Sequence, residues 1–301
     1  MKKIGFVGLG DMGIGLTKNL LEKGFEVTGF DIREDRVNEL IRQGGKPAEN
    51  CREVGQSSEV VFVMVLNGQQ VKEAVLGKDG LVEGLEKGAS IIITATINPS
   101  EVKDLEQPLS EKGINLIDSP VSGGKSGADN GTLTMMVAAK KEVFDDCLEI
   151  LEAVGQSIFH VGEEIGIGQT VKASLQALIG ASFTAIFESL VLGTKAGVKP
   201  ETLYEVFASS GVSSPLFKNC AKLIMERRFI GTGSHIGTMY KDLGISMNMA
   251  KENGVAMFTA SAAYELFRSG MSLFPDEDNW AIVKLLEQIA GTEVTNQNKE
   301  D

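Results

Sequence analysis

The chain has 301 residues, 43% hydrophobic and 23% charged, the composition of a folded chain with room for one large domain or two ordinary ones. Lys and Arg total 29 against 41 Asp and Glu, and the formal charge of −12 argues against nucleic acid or an anionic membrane as partner. An anionic substrate must then find its positive potential in one local site. Cys51, Cys147 and Cys220 are far apart, odd in number and form no C-x-x-C pair, so neither a disulfide framework nor a zinc site is expected. His160 and His235 are the two histidines, and no metal centre is expected from them. A strand pattern begins at Ile4 and leaves no room for a signal peptide. No apolar run approaches the roughly 18–20 residues of a membrane span. These features predict a reduced, cytoplasmic protein.

From residue 4 to about 161, β-rich runs alternate with helical patterns. Strands are predicted at 4–9, 27–31, 60–66, 89–94, 115–118, 133–137 and 157–160, with helical periodicity over stretches such as 13–23 and 34–43. Continuous apolar strands separated by helices predict a mostly parallel sheet covered on both faces. After Gly166-Ile167-Gly168 the pattern becomes wholly helical. A long helix is expected over 169–196, another starts at Lys199-Pro200-Glu201, and the polar tail past Thr292 is expected to fray. The domain boundary falls near 162–167.

Gly8-Leu9-Gly10-Asp11-Met12-Gly13 is a G-x-G-x-x-G pattern directly after the first strand and at the opening of a helix. Gly8 permits the tight turn, Gly10 lets the backbone approach a pyrophosphate, and Gly13 lets helix and strand pack closely. Alone the pattern is weak; here a second strand ends in Asp31, about 20 residues on, where the ribose-binding acid of a dinucleotide fold stands. A carboxylate there accepts from ribose hydroxyls and repels a 2′-phosphate, which favours NAD over NADP, although Arg33 is close by. Asp118-Ser119-Pro120-Val121-Ser122-Gly123-Gly124 follows a strand, and backbone N–H groups around Ser122, Gly123 and Gly124 suit a carboxylate, or simply make a strand-to-helix turn. Lys172 and Gln176 lie one turn apart on the long helix. From spacing alone Lys172 reads by default as a solvated helix lysine, with a buried one able to exchange a proton as the alternative.

These motifs together resemble the β-hydroxyacid dehydrogenases, the group of 3-hydroxyisobutyrate dehydrogenase and 6-phosphogluconate dehydrogenase, from Ile4 to about Ala290. The N-terminal signature is matched by Gly5–Gly13, the substrate motif D-x-P-V-S-G-G-x-x-G-A-x-x-G-T-L by Asp118–Leu133, G-x-x-x-K by Gly168–Lys172, and K-D-L by Lys241-Asp242-Leu243. The resemblance implies a Rossmann doubly wound α/β domain over 1–163 and an all-α domain of substrate binding and dimerisation over 164–301. It implies Lys172 as catalytic general acid/base, and Ser122, Gly123, Gly124 and Gln176 around the substrate. Gly8, Leu9, Gly10, Asp11, Met12, Gly13, Asp31, Val65, Leu66, Thr96 and Lys241 would contact NAD. The family usually has Asn at the position of Gln176; members resembling L-threonate dehydrogenase share Gln, as well as segments like Gly168–Lys172 and Ser214–Asn219. The implied reaction is reversible hydride transfer between NAD and a small hydroxy carboxylate such as 3-hydroxyisobutyrate, threonate or 2-hydroxymethylglutarate. The rivals are an NADPH-dependent semialdehyde reductase, opposed by Asp31-Ile32, and an inactive NAD-binding protein or imine-reducing relative, opposed by the presence of Lys172. Apolar content over 256–267 and the family together predict a homodimer or homotetramer.

Overall fold

The computed structural model describes residues 2–296. The chain divides into two compact units, Met1–Lys172 and Ala173–Asp301.

The first unit is built on a nine-stranded sheet: β1 (Lys3–Val7), β2 (Glu26–Phe30), β3 (Lys46–Pro47), β4 (Val60–Val63), β5 (Ser90–Ile93), β6 (Asn115–Asp118), β7 (Val121–Ser122), β8 (Leu133–Ala138) and β9 (Gly155–Gly162). The order β3-β2-β1-β4-β5-β6 is parallel throughout, then β8 joins β6 antiparallel, with β7 and β9 both pairing to β8. Order reverses at β1, the switch point at which open α/β sheets place their ligands. Period-2 alternation explains why the strands read as unbroken apolar runs. Ile4, Phe6, Val60, Phe62 and Ile92 enter one buried cluster, while Val7, Val61, Val63, Ile91 and Ile93 enter another. Helices on both sides bury both faces.

The predicted strands are present: β1, β2, β4 and β5 end one to three residues early, because the residues that follow leave the ladder to form loops, β6 has the predicted bounds, and β8 and β9 run longer than expected. Leu9 is fully buried, yet it sits beyond the last β1 residue, Val7.

The helix Ile167–Lys195 runs 29 residues, from the first unit into the second. It is long and apolar enough, by length and composition, to cross a membrane, which corrects the expectation that no run approaches that size. Part of that apolar content is core rather than lipid-facing. In the second unit Phe183, Phe187, Leu190 and Val191 join Phe217, Leu243, Phe267 and Trp280, with Trp280 edge-on to Phe183 at 5.3 Å. The helix Pro200–Ser209 starts at the predicted proline.

The C-terminal tail does not fray where it is described. Val294 is fully buried, its N–H donates to Glu287 Oε1 (2.8 Å), and the N–H of Asn296 reaches Met225 O (3.1 Å). Arg227 pairs with the buried Glu287 at 2.6 Å and closes the arrangement. A single apolar side chain thus overrides the polar composition around it; the rest of the tail lies outside the described residues. The three cysteines are free and buried.

Candidate active site

The carboxyl ends of five parallel strands deliver the expected residues of the first unit to one edge of the sheet. β1 leads into Gly8–Gly13, β2 into Asp31, β4 into Val65 and Leu66, β5 into Thr96, and β6 ends at Asp118 shortly before Ser122.

The glycine loop has the shape a pyrophosphate requires. Gly8 has φ 92°, and a Cβ there would lie 2.3 Å from Met64 O; a Cβ on Gly13 would lie 2.1 Å from Gly8 O. At Gly10 a Cβ would meet nothing nearer than an Arg33 Nη at 3.8 Å, so this face of the loop is open to a ligand. The helix Asp11–Glu22 begins here with no side-chain cap, leaving the positive end of its dipole for an anion. Asp11 opposes that polarity, and Arg36 offsets it with a 2.7 Å ion pair. Asp31 ties β2 to the loop: Oδ2 accepts from Leu9 N at 2.7 Å, Oδ1 from Arg33 N at 2.9 Å, and Arg33 Nε is 3.6 Å from Oδ1. Loop, open glycine, helix end and acid fit a dinucleotide. Val65 and Thr96 are half-buried, Leu66 is exposed, and its N–H is taken by Gln70 Oε1 at 2.9 Å.

Ser122 ends β7. Gly123 and Gly124 follow with φ 137° and 61°, the left-handed range that favours glycine. The helix Gly124–Asn130 starts immediately after, and Lys125 pairs with Asp129 within it.

Asp118 is fully buried at the end of β6. Its Oδ2 accepts from Gly166 N (2.9 Å) and Gln169 N (3.1 Å), and Oδ1 from Gln169 Nε2 (3.0 Å). Burial pushes this carboxyl up to about 6 from 3.8, against the pull of the hydrogen bonds from Gln169 and Gly166. A raised carboxyl means the folded state holds a proton that the unfolded chain has released. The stability from this group is therefore greatest at low pH and is lost as pH rises through about 6. Relative to Asp118→Asn, the wild type should gain about 1 kcal/mol between about pH 8 and pH 5; urea unfolding of both proteins at each pH checks this.

Lys172 lies on the long helix three residues beyond Gln169 and is 6% exposed, so the solvated reading of this lysine does not apply. In the second unit, buried Gln176 donates from Nε2 to Asp242 Oδ2 at 2.5 Å, and Lys241 Nζ lies 2.8 Å from Asp242 Oδ1. Asp242 therefore brings Gln176 and Lys241 together. The other predicted residues, Lys172 included, belong to the first unit. Gln169, Asp242 and Arg36 carry geometry that spacing did not assign. The motifs containing the first two were visible, but Gln169 meets Asp118 and Ala95 at separations of 51 and 74 residues, and Asp242 meets Gln176 at 66.

His160 stacks on Phe144 and meets Ala139 O at 2.8 Å. His235 precedes the helix Ile236–Glu252, with Nδ1 3.7 Å from buried Asp278, which also accepts from Thr232 and Ser234.

Residues 3–162 match the NAD-binding domain of 6-phosphogluconate dehydrogenase, and residues 166–286 match the NAD-binding domain of NADP-dependent 3-hydroxyisobutyrate dehydrogenase. The chain belongs to the β-hydroxyacid dehydrogenase family. It is 36% identical to 2-(hydroxymethyl)glutarate dehydrogenase of Eubacterium barkeri, covering 97% of each chain. It is 30% identical to L-threonate dehydrogenase of Cupriavidus necator, over 96% of this chain and 97% of that one. A crystal structure of 3-hydroxyisobutyrate dehydrogenase from Salmonella typhimurium superposes with a TM-score of 0.86 at 27% identity, covering 94% of this chain and 99% of the other. This β-hydroxyacid dehydrogenase thus carries the nicotinamide-binding Rossmann domain and helical C-terminal region of its family, and is an NAD(P)-dependent hydroxyacid dehydrogenase.

Proposed function

We propose that this enzyme interconverts a small hydroxy carboxylate and its carbonyl product using NAD, with Lys172 as general acid/base. The observation that carries the reading is a lysine 6% exposed on the long helix, in a chain 36% identical to a hydroxy-acid dehydrogenase. Bound nicotinamide would supply the hydride acceptor or donor. Neutral Lys172 takes the hydroxyl proton in oxidation; protonated, it returns one to the forming alkoxide in reduction. Ser122, Gly123 and Gly124 hold the substrate carboxylate through the hydroxyl and backbone N–H groups, which selects the carbon presented for transfer. Gln176 contacts the substrate, with its amide N–H already committed to Asp242 and its Oε1 available to accept from a substrate hydroxyl. Asp31, the glycine loop, Val65, Leu66, Thr96 and Lys241 hold the cofactor. Its resemblance to a 2-(hydroxymethyl)glutarate dehydrogenase and to threonate dehydrogenases supports a short polyfunctional hydroxy acid as the substrate.

Steady-state oxidation of threonate, 3-hydroxyisobutyrate, glycerate and 2-(hydroxymethyl)glutarate with NAD tests the substrate class. At least one should reach a kcat/KM of about 10⁴ M⁻¹ s⁻¹ or more. NAD binding without turnover of any of the four, in either direction, contradicts the reading.

A homodimer or homotetramer is part of the same proposal. Phe258 is 87% exposed and Leu273 53% on the helix Phe258–Leu273, and Leu178 and Leu192 on the long helix are 66% and 73% exposed. Such side chains gain from burial against a second copy. Light scattering at micromolar protein should give at least twice the chain mass; a monomer mass refutes it.

A further inference from the structure

Gln169 joins two segments of the first unit that the proposed chemistry needs in register. Its Nε2 donates to Asp118 Oδ1 and Ala95 O, each at 3.0 Å, and its Oε1 accepts from Ile97 N at 3.0 Å. Ala95 and Ile97 flank Thr96 on the loop after β5. Lys172 follows Gln169 by one helical turn. The amide has one permitted direction: Asp118, when ionised, accepts only, so the NH2 must face it and the oxygen must face Ile97 N–H. Reversal would set oxygen against two acceptors and N–H against N–H.

The arrangement is more than a helix start. Asn50, Asn67 and Ser214 begin other helices of this chain with a local cap, a side chain accepting from the backbone three residues on. The long helix instead draws on a fully buried carboxylate some 50 residues upstream, with the Gln169 side chain equally buried. Burying both groups is costly without full hydrogen bonding, and here three donors meet the carboxylate. The backbone is pressed onto this contact: a Cβ on Gly168 would lie 2.5 Å from Met136 O and 2.9 Å from Asp118 Oδ2.

We propose that Gln169, its amide direction set by Asp118, is a positioning residue that fixes the Thr96 loop relative to the turn bearing Lys172 for hydride transfer. This rests on the assignment of Lys172 above. A side chain that holds two reacting segments in register affects the chemical step far more than binding, because displacement of about 1 Å costs up to about 10²-fold in rate.

The test measures kcat, NAD dissociation constant and urea unfolding for Gln169→Leu, Gln169→Glu, Asp118→Asn and the exchange pair Asp118→Asn/Gln169→Glu. Gln169→Leu keeps the side-chain bulk and loses all three hydrogen bonds; kcat should fall about 10- to 100-fold with NAD affinity within about threefold. The exchange pair restores an acid–amide contact with donor and acceptor reversed. It should recover at least about fivefold in kcat over either single variant, and stays below wild type because Ala95 O then faces an acceptor. A folded Gln169→Leu with kcat within twofold of wild type overturns the proposal. So does loss of cooperative unfolding in both single variants without rescue by the pair, since the contact would then serve only the fold. Lys172→Ala is measured alongside. If it loses kcat while Gln169→Leu does not, the positioning role fails and the Lys172 assignment stands. If Lys172→Ala keeps kcat while Gln169→Leu loses it, the Lys172 assignment fails and Gln169 acts through the Thr96 loop.

Discussion

Lys172→Ala should leave NAD binding near the wild-type level while kcat falls by about 10²- to 10⁴-fold, the usual range for loss of a general acid/base. The side chain is buried on the long helix, so a charge or a proton placed there does work that bulk water cannot replace. Lys172→Arg separates proton exchange from charge alone. A guanidinium does not release a proton near neutral pH, so the Arg variant should be as inactive as Ala. If the lysine merely bound the substrate carboxylate, Arg would recover much of the activity and the loss would fall on KM. Steady-state constants for both variants, with NAD binding measured separately, decide between these outcomes. Near-normal kcat in either variant, folded and NAD-bound, would show the assignment to be wrong.

The second expected result is cofactor choice. NAD should exceed NADP in kcat/KM by about 30- to 150-fold, from roughly 2–3 kcal/mol of like-charge repulsion and lost ribose contacts at Asp31. The structure adds a reason for the acid to dominate its basic neighbour. Asp31 accepts from the Arg33 backbone at 2.9 Å and lies 3.6 Å from Arg33 Nε, so this carboxylate screens the guanidinium that would otherwise meet a 2′-phosphate. Asp31→Ser should consequently move preference towards NADP by releasing Arg33, at some loss in the loop because Leu9 N loses its acceptor. Constants with both cofactors for wild type and Asp31→Ser test the argument. Equal or better wild-type efficiency with NADP overturns it.

The sheet and the glycine loop were legible because their signals are local. Unbroken apolar residues in 60–63 and 91–93 report burial on two faces, and Gly8 and Gly13 report close backbone approaches that leave no room for a Cβ. Where side chains act over long sequence distance, the pattern is silent. Nothing in the spacing of Asp118 and Gln169 announces that 51 residues of chain close between them, or that Asp242 lies against Gln176 across 66. Burial is also poorly written in composition. Lys172 could be a solvated lysine by spacing and is not, and Val294 anchors a tail whose neighbours are all polar. The long helix shows the reverse ambiguity, since a core helix and a membrane span share length and hydropathy and differ in what their side chains touch. For Lys172 the family motifs suggest a role where periodicity suggests none, because they carry information about chemistry rather than about packing.

Transfer of the hydrogen itself tests the central claim most directly. A hydroxy acid from the panel is prepared with deuterium on its hydroxyl-bearing carbon and mixed with the enzyme and unlabelled NAD, and the reduced cofactor is weighed by mass spectrometry after one turnover. Direct hydride transfer from the fully labelled substrate carbon predicts one deuterium on the nicotinamide ring and a carbonyl product with one deuterium fewer than the substrate. Reduced cofactor without the label, or bound NAD that is never reduced by any of the four acids, would contradict the account.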